Sequence, residues 1–333
     1  MSEVKLYRLI DGKASELEGS ASDLEKPLQK LIEANLEPML GIRFLATEYS
    51  TGKLHGGRID TLGLDEDNCP VIVEYKRAVG ESVINQGLYY LDWLLDHKGE
   101  FRLLVQERLG AEVAQANEWK APRVVCIAGA FTKYDGHAVR QMHHSIDLIR
   151  YRQFGPDLLL LEQVHTAQQT AGASAAKKPG KADTDATEAT GHLETDQPAP
   201  AAATDKPAGT DKPYAEVVAS MAPALQDVLA SLEDYMFALG DDVQRKELKL
   251  YAAFKRLKNF ATVVPQKGRL LLYLHLDPPS LGPLPPNARD VSQQGHWGTG
   301  DLELALTTQE QLDAAKRWVV MAYEGKAPPP LAT

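Results

Sequence analysis

Cysteine is nearly absent. The 333 residues contain two, Cys69 and Cys126, too few for a disulfide framework, and this points to a reducing compartment. No apolar run approaches the roughly 20 residues that a membrane-spanning helix needs, so no membrane partner is expected. The opening residues, MSEVKLYRLIDGK, lack the apolar core of a secretory signal, and a cytoplasmic location is the expectation. Positive net charge is missing too: the formal charge of −10 excludes a protein that coats nucleic acid by bulk charge, although a local basic surface remains compatible with it. Residues 167–212 contain no aromatic residue and a single leucine, Leu193. Such a stretch cannot bury enough apolar surface to offset the entropy of ordering it. It reads as a flexible linker between a domain at 1–166 and another at 213–327, with a short tail at 328–333.

What is present is ordinary in bulk, with 44% hydrophobic and 25% charged residues, and unusual in one place. Two short apolar runs, 58–64 and 70–75, flank the polar turn Asp65-Glu66-Asp67-Asn68, a hairpin signal. Each run carries charge where a strand should bury apolar groups. Asp60 interrupts the first, and Glu74 and Lys76 end the second. Side chains alternate along a strand, so Glu74 and Lys76 project to one face. Carboxylates and a lysine gathered there are costly unless something binds, and a divalent cation, Mg²⁺ or Mn²⁺, would supply the missing partner. If the hairpin sets Asp60 opposite Glu74, the two carboxylates and the backbone carbonyl of Tyr75 form a candidate ligand set. Lys76 could orient a water and stabilise charge growing on a phosphate. Glu25, on the first helix, and Gln86, opening the next, are further candidates. The competing reading is a solvated edge strand, because an Asp followed by Glu-x-Lys arises readily by chance.

Along the chain, a strand is expected at 4–10 and a helix from Ser22 or Asp23, with Leu24, Leu28, Leu31 and Ile32 at helical spacing. A strand at 42–49 precedes the hairpin. A helix is expected at 82–97, stopped at Lys98-Gly99, and strands at 101–105, 123–127, 147–152 and 157–164. This order predicts an α/β fold, a mixed sheet with helices packed on it. Beyond the linker, helical spacing at 214–238 and 241–259, a hairpin at 260–276, a strand at 301–306 and a helix at 308–323 predict a smaller α+β domain. His137, His143 and His144 lack zinc-ligand spacing and read as surface residues. Cys126 reads as core.

Helix Glu25, then Gly57-Arg58-Ile59-Asp60, then Glu74-Tyr75-Lys76, then Gln86 resembles the PD-(D/E)XK nuclease superfamily. The similarity is nearest to its NucS-like, tRNA-endonuclease-like branch, over roughly residues 20–165. The resemblance implies a restriction-endonuclease-like core and an Mg²⁺-dependent endodeoxyribonuclease. In it Asp60 and Glu74 bind metal, Lys76 assists and Gln86 completes the site. The sequence departs from the pattern in carrying Ile59 where a proline would precede Asp60. The whole chain also resembles bacterial proteins loosely labelled "predicted transport protein", a label that the missing membrane span does not support.

Residues 245–269 hold eight basic residues and one acid, Glu247. Tyr251, Phe254 and Phe260 are interleaved, and Tyr273 follows. Basic groups meet phosphates and aromatic faces stack on unpaired bases. Arg245, Lys249, Lys255, Arg256, Lys258, Lys267 and Arg269, with Arg58 of the first domain, are therefore the expected nucleic-acid contacts. A structural role for the aromatics is the alternative. The glycines of His296-Trp297-Gly298-Thr299-Gly300 predict a tight turn or close backbone approach. The expected partner is nucleic acid, DNA ahead of RNA. A homodimer and a catalytically silent binding or protein-interaction module stay open as alternatives.

Overall fold

The computed structural model describes residues 4–20, 25–76, 83–167, 212–296 and 298–325. The expected linker, apart from its two end residues, and the C-terminal tail lie outside them, as do Trp297 and the expected caps Ser22 and Asp23. The N-terminal part runs β1 (Leu6–Ile10), β2 (Lys13–Leu17), β3 (Gly19–Ser20), α1 (Glu25–Ala34), α2 (Leu36–Leu40), β4 (Ile42–Ser50), α3 (Gly52–His55), β5 (Arg58–Asp65), β6 (Pro70–Lys76), α4 (Val83–Asp96), α5 (Lys98–Leu109), α6 (Ala111–Gln115), β7 (Arg123–Ala128), α7 (Lys133–Arg140), β8 (Ser145–Phe154) and β9 (Leu158–Ala167). The C-terminal part adds α8 (Tyr214–Ala219), α9 (Pro223–Ala238), β10 (Gln244–Glu247), β11 (Ala252–Lys255), β12 (Asn259–Gln266), β13 (Arg269–Leu274), a 3₁₀ turn, β14 (Ala288–Asp290), β15 (Leu302–Leu306) and α10 (Gln309–Glu324).

The first sheet is mixed, in the order β3-β8-β7-β6-β5-β4 with β9 on β8. β6, β7 and β8 run parallel, while β4, β5 and β6 form an antiparallel meander. β6 and β7 are apolar at nearly every position because helices cover both faces. Val71, Val73, Tyr75, Val125 and Ile127 pack with Leu28, Ile32, Leu36 and Leu40, the four-residue stripe of α1 and α2. Ile72, Val124 and Cys126 face α4, α5, α6 and α7.

The C-terminal domain is a six-stranded antiparallel sheet, β10-β11-β12-β13-β15-β14. One face is covered by α8, α9 and α10 through Leu229, Leu232, Met236, Val319 and Trp318. The other face meets the first domain: Cys69, in the β5–β6 turn, is fully buried among Leu248, Tyr251, Val264, Leu271 and Tyr273.

Four expectations about elements are corrected. Residues 101–105 are not a strand. They lie in α5, where Phe101 and Val105 are buried and Arg102 and Leu103 exposed, a four-residue spacing. Lys98-Gly99 opens that helix and does not end the preceding one. Residues 241–259 are not a helix but β10 and β11. All four residues of β11 are buried, with Ala252 and Phe254 on one face and Ala253 on the other. The stretch 214–238 is two helices, divided before Pro223, which opens α9. The expected close approach at 296–300 is present. Gly298 and Gly300 have φ of +86° and +122°, and a Cβ at Gly300 would lie 2.7 Å from the Leu274 carbonyl carbon.

Candidate active site

The site stands where β5 and β6 part. Their register pairs Thr61 with Val73, and the next step along both strands sets Asp60 beside Glu74. Two hydrogen bonds fix this crossing: the Asp60 backbone N–H donates to Glu74 Oε1 at 3.2 Å, and the Tyr75 backbone N–H donates to Asp60 Oδ2 at 3.1 Å. The conditional part of the sequence reading, two carboxylates on one face of a hairpin, is thus met. Lys76 ends β6 one alternation beyond Glu74 and is half-buried.

Glu74 has no exposed surface, and its Oε2 is buried without a hydrogen-bond partner. Burial, reinforced by the charge of Asp60, pushes its pKa up to about 9. At neutral pH the pair therefore shares a proton unless a cation replaces it. Among the described residues no group of three or more His, Cys, Asp or Glu side chains could hold a metal. The arrangement offers two carboxylates and must draw further ligands from backbone and solvent.

Tyr75 turns its side chain to the opposite face, where its hydroxyl lies 3.4 Å from Thr61 Oγ1. The same face braces Asp60 from behind: Gln29 Nε2 donates to the Asp60 carbonyl at 2.8 Å. Glu25 opens α1, but its side chain lies outside the described atoms. Gln86 faces the site indirectly. Its Nε2 is 3.5 Å from the Tyr90 hydroxyl, which accepts the Arg58 backbone N–H at 3.2 Å. Gly57 packs so closely on the Tyr90 ring that a Cβ there would come within 2.6 Å. Arg58 itself is exposed and lies 3.5 Å from Glu48.

Sequence reasoning missed three residues here. Tyr90 shares a helix face with Gln86 and Trp93 by spacing, which assigns it no role. Gln29 carried no signal beyond its place on α1. Glu48 lies between the registered pairs Thr47–Thr61 and Tyr49–Ile59, opposite Asp60, with φ of +48°. That left-handed conformation inside a strand is strained for a residue with a Cβ, and residue type gives no hint of it.

Four of the eight basic residues at 245–269 are engaged within the molecule. Lys255 is buried, 3.0 Å from Asp147 of β8, which also receives Arg123 at 3.0 Å. Proposed as a nucleic-acid contact, Lys255 is instead sealed between the domains. Arg245 pairs with Glu233 and Glu247, and Arg256 with Asp242. Lys246 lies 2.7 Å from Asp65 and 3.2 Å from Asp67. Lys249, Lys258, Lys267 and Arg269 are exposed, but Lys258 and Lys267 flank opposite ends of the eight-residue β12. They do not make one face.

A family model described as a domain of unknown function (DUF5655) matches residues 215–326, the C-terminal domain. An uncharacterized protein of Haemophilus influenzae is 26% identical over 313 residues, covering 93% of this chain and 96% of the relative. Among solved structures, a repair endonuclease from Pyrococcus abyssi aligns with 39% of this chain and 49% of its own, at 19% identity and a TM-score of 0.25. A complex of EndoMS with double-stranded DNA aligns with 41% of this chain and 47% of its own, at 20% identity and a TM-score of 0.22. Each alignment thus spans about half of the endonuclease chain. The chemistry of the site rests on its own residues. No helix among the described residues is long and apolar enough to cross a membrane.

Proposed function

We propose that the N-terminal domain hydrolyses phosphodiester bonds in nucleic acid, DNA ahead of RNA, as a metal-dependent endonuclease. The observation that carries this reading is the Asp60–Glu74 crossing, with the buried, unpartnered Glu74 Oε2 at its centre. A buried carboxyl in that state fits a divalent cation, Mg²⁺ or Mn²⁺, held by Asp60, Glu74 and the carbonyl of Tyr75. When bound, such a cation supplies positive charge against a phosphate and acidifies its water. Lys76 supplies a second positive charge on the same face, able to orient the attacking water and to stabilise charge growing on phosphorus. Gln86, tied through Tyr90 to the start of β5, is placed to hold a water or phosphate oxygen once its 3.5 Å contact to Tyr90 is exchanged. Gln29 and the two backbone N–H donors hold the carboxylates in place before substrate arrives. The two free thiols, Cys69 and Cys126, are both buried, in keeping with a reducing, cytoplasmic setting.

The competing reading, a catalytically silent binding module, is favoured by the lack of a third acidic or histidine ligand among the described residues. One experiment separates the two. Single-stranded, duplex, branched and mismatched substrates are incubated with and without Mn²⁺, and Mn²⁺ binding is followed by calorimetry. Cleavage that requires Mn²⁺ and disappears in Asp60→Asn establishes the hydrolase. Failure of the protein to bind Mn²⁺, together with intact substrates throughout the panel, establishes the silent module.

A further inference from the structure

With Arg245, Lys246, Lys255 and Arg256 drawn into intramolecular pairs and the exposed Lys258 and Lys267 at opposite ends of β12, the question is what on the first domain could hold a nucleic acid near Asp60. Residues 50–58 answer it. They connect β4 to β5 and form an open cleft of 390 Å³ lined by Ser50, Gly52, Lys53, Gly56, Gly57 and Arg58. Gly52 and Gly56 have φ of +77° and +68° with open space where a Cβ would sit, so the backbone can be approached closely. The loop is pinned at its base. Gly57 N–H donates to Thr51 Oγ1 at 2.9 Å, and Thr51 N–H donates to the Gly57 carbonyl at 3.0 Å.

Its outer end is latched to α4. The His55 ring stacks on Tyr89 with centroids 3.8 Å apart and planes 21° from parallel. His55 Nε2 lies 2.8 Å from the Tyr89 carbonyl, and the Tyr89 hydroxyl donates to the His55 carbonyl. Although held this firmly, Tyr89 is 48% exposed. A rigid aromatic ring left half in water beside a glycine-rich loop with two exposed cations is poorly explained by folding alone. The Arg58–Glu48 pair is 68% and 32% exposed, and ion pairs of that kind contribute little, so Arg58 is available to another anion. Arg58 is two residues from Asp60 on the same strand, and Tyr89 is three from Gln86 on the same helix.

We infer that this loop and Tyr89 form the subsite for an unpaired nucleotide next to the scissile bond, the base lying on the Tyr89 ring and the flanking phosphates on Lys53 and Arg58. The inference rests on the hydrolase reading for its orientation, and it assigns single-stranded or locally opened nucleic acid as the substrate class. Aromatic faces accept any base by stacking, whereas a fully paired duplex presents none.

The test uses the full chain and fluorescence anisotropy in Ca²⁺ buffer. The probes are a short labelled DNA single strand, the same strand with abasic sites, and its duplex. The wild type should bind the intact strand about tenfold more tightly than the abasic strand, as one stacked base predicts. Tyr89→Phe keeps this preference and Tyr89→Ala loses it. Lys53→Ala and Arg58→Ala should each lower the slope of log affinity against log salt by about 0.7. A folded Tyr89→Ala protein with wild-type preference overturns the subsite, as does tighter binding of duplex than of single strand. Mn²⁺-dependent cleavage combined with no effect of these variants removes the subsite and keeps the hydrolase. Tyr89-dependent binding with no cleavage of any substrate does the reverse.

Discussion

Glu74 has no exposed surface; one of its carboxyl oxygens accepts a backbone N–H and the other is buried without a hydrogen-bond partner. A cation that binds the folded chain alone stabilises it by about 2.7 kcal/mol at a hundredfold excess over Kd. Mn²⁺ should therefore raise the melting temperature of the wild type by several degrees and leave Asp60→Asn and Glu74→Gln unmoved, as differential scanning fluorimetry would show. Equal shifts in all three would place the metal elsewhere. Lys76→Ala should cut turnover by about a hundredfold or more while leaving oligonucleotide affinity unchanged, the signature of a group that acts on the transition state; single-turnover kinetics beside a binding curve test this. At Glu48, the left-handed backbone makes a different forecast. Glycine usually weakens a strand relative to alanine, but here Glu48→Gly should be more stable than Glu48→Ala by about 1 kcal/mol in urea unfolding, because only glycine relieves the strain.

At the scale of elements, α4 is the part that brings Gln86, Tyr89 and Tyr90 to the mouth of the hairpin, and its seat on the sheet is Gly87. A Cβ there would lie 2.4 Å from Val124 Cγ1. Gly87→Ala should lift α4 from β7, costing about 1–3 kcal/mol and lowering cleavage further than the stability loss explains. Retained activity at full occupancy of the folded state would show that the position of α4 is immaterial. The hairpin could be read from the sequence because both of its signals are local: a polar turn between apolar runs, and charges at Asp60 and Glu74 that break the pattern. The short run 101–105 could not, since five apolar-rich residues fit either period, and only the burial of Phe101 and Val105 together decides for a helix. Strand β11 failed for a different reason. Lys255 looks like a helix-surface lysine until Asp147, more than a hundred residues away, supplies its partner. Tyr90 and Glu48 owe their roles to contacts and a torsion angle that no neighbouring residue announces.

In the whole molecule the two domains meet through charge. The turn carboxylates Asp65 and Asp67 enclose Lys246, Tyr251 Oη donates to Asp67 at 3.1 Å, and the Asn259 N–H donates to Glu66 at 2.7 Å. Removing one member of such a buried set leaves the others uncompensated, so Lys246→Ala should lower stability by about 3–5 kcal/mol and open the interface to protease. Glu66 titrates against this background. Burial, with Asp67 and Asp65 adding to it, raises its pKa to about 7 from 4.5. Between those values the folded protein holds a proton that the unfolded chain has released, so this contribution to stability falls as pH rises from about 4.5 to about 7 and is flat above. Glu66→Gln should flatten the pH dependence across that window, measured as the difference in unfolding free energy between variant and wild type. An unchanged slope would assign the titration to another group.

The clasp on the hairpin tip also sets an order in time. Asp65 and Lys246 are 181 residues apart in the chain, and at roughly 5–20 residues per second the ribosome needs about 10 to 35 seconds to make the second after the first. Throughout that interval the strands bearing Asp60 and Glu74 are complete while the tip that joins them, held by Arg43 at the Asp65 carbonyl and at Asn68, still lacks Lys246. A nascent chain thus carries the acidic pair before it carries the lysine that neutralises the turn, and a message truncated after the first domain yields a hairpin whose tip never meets Lys246.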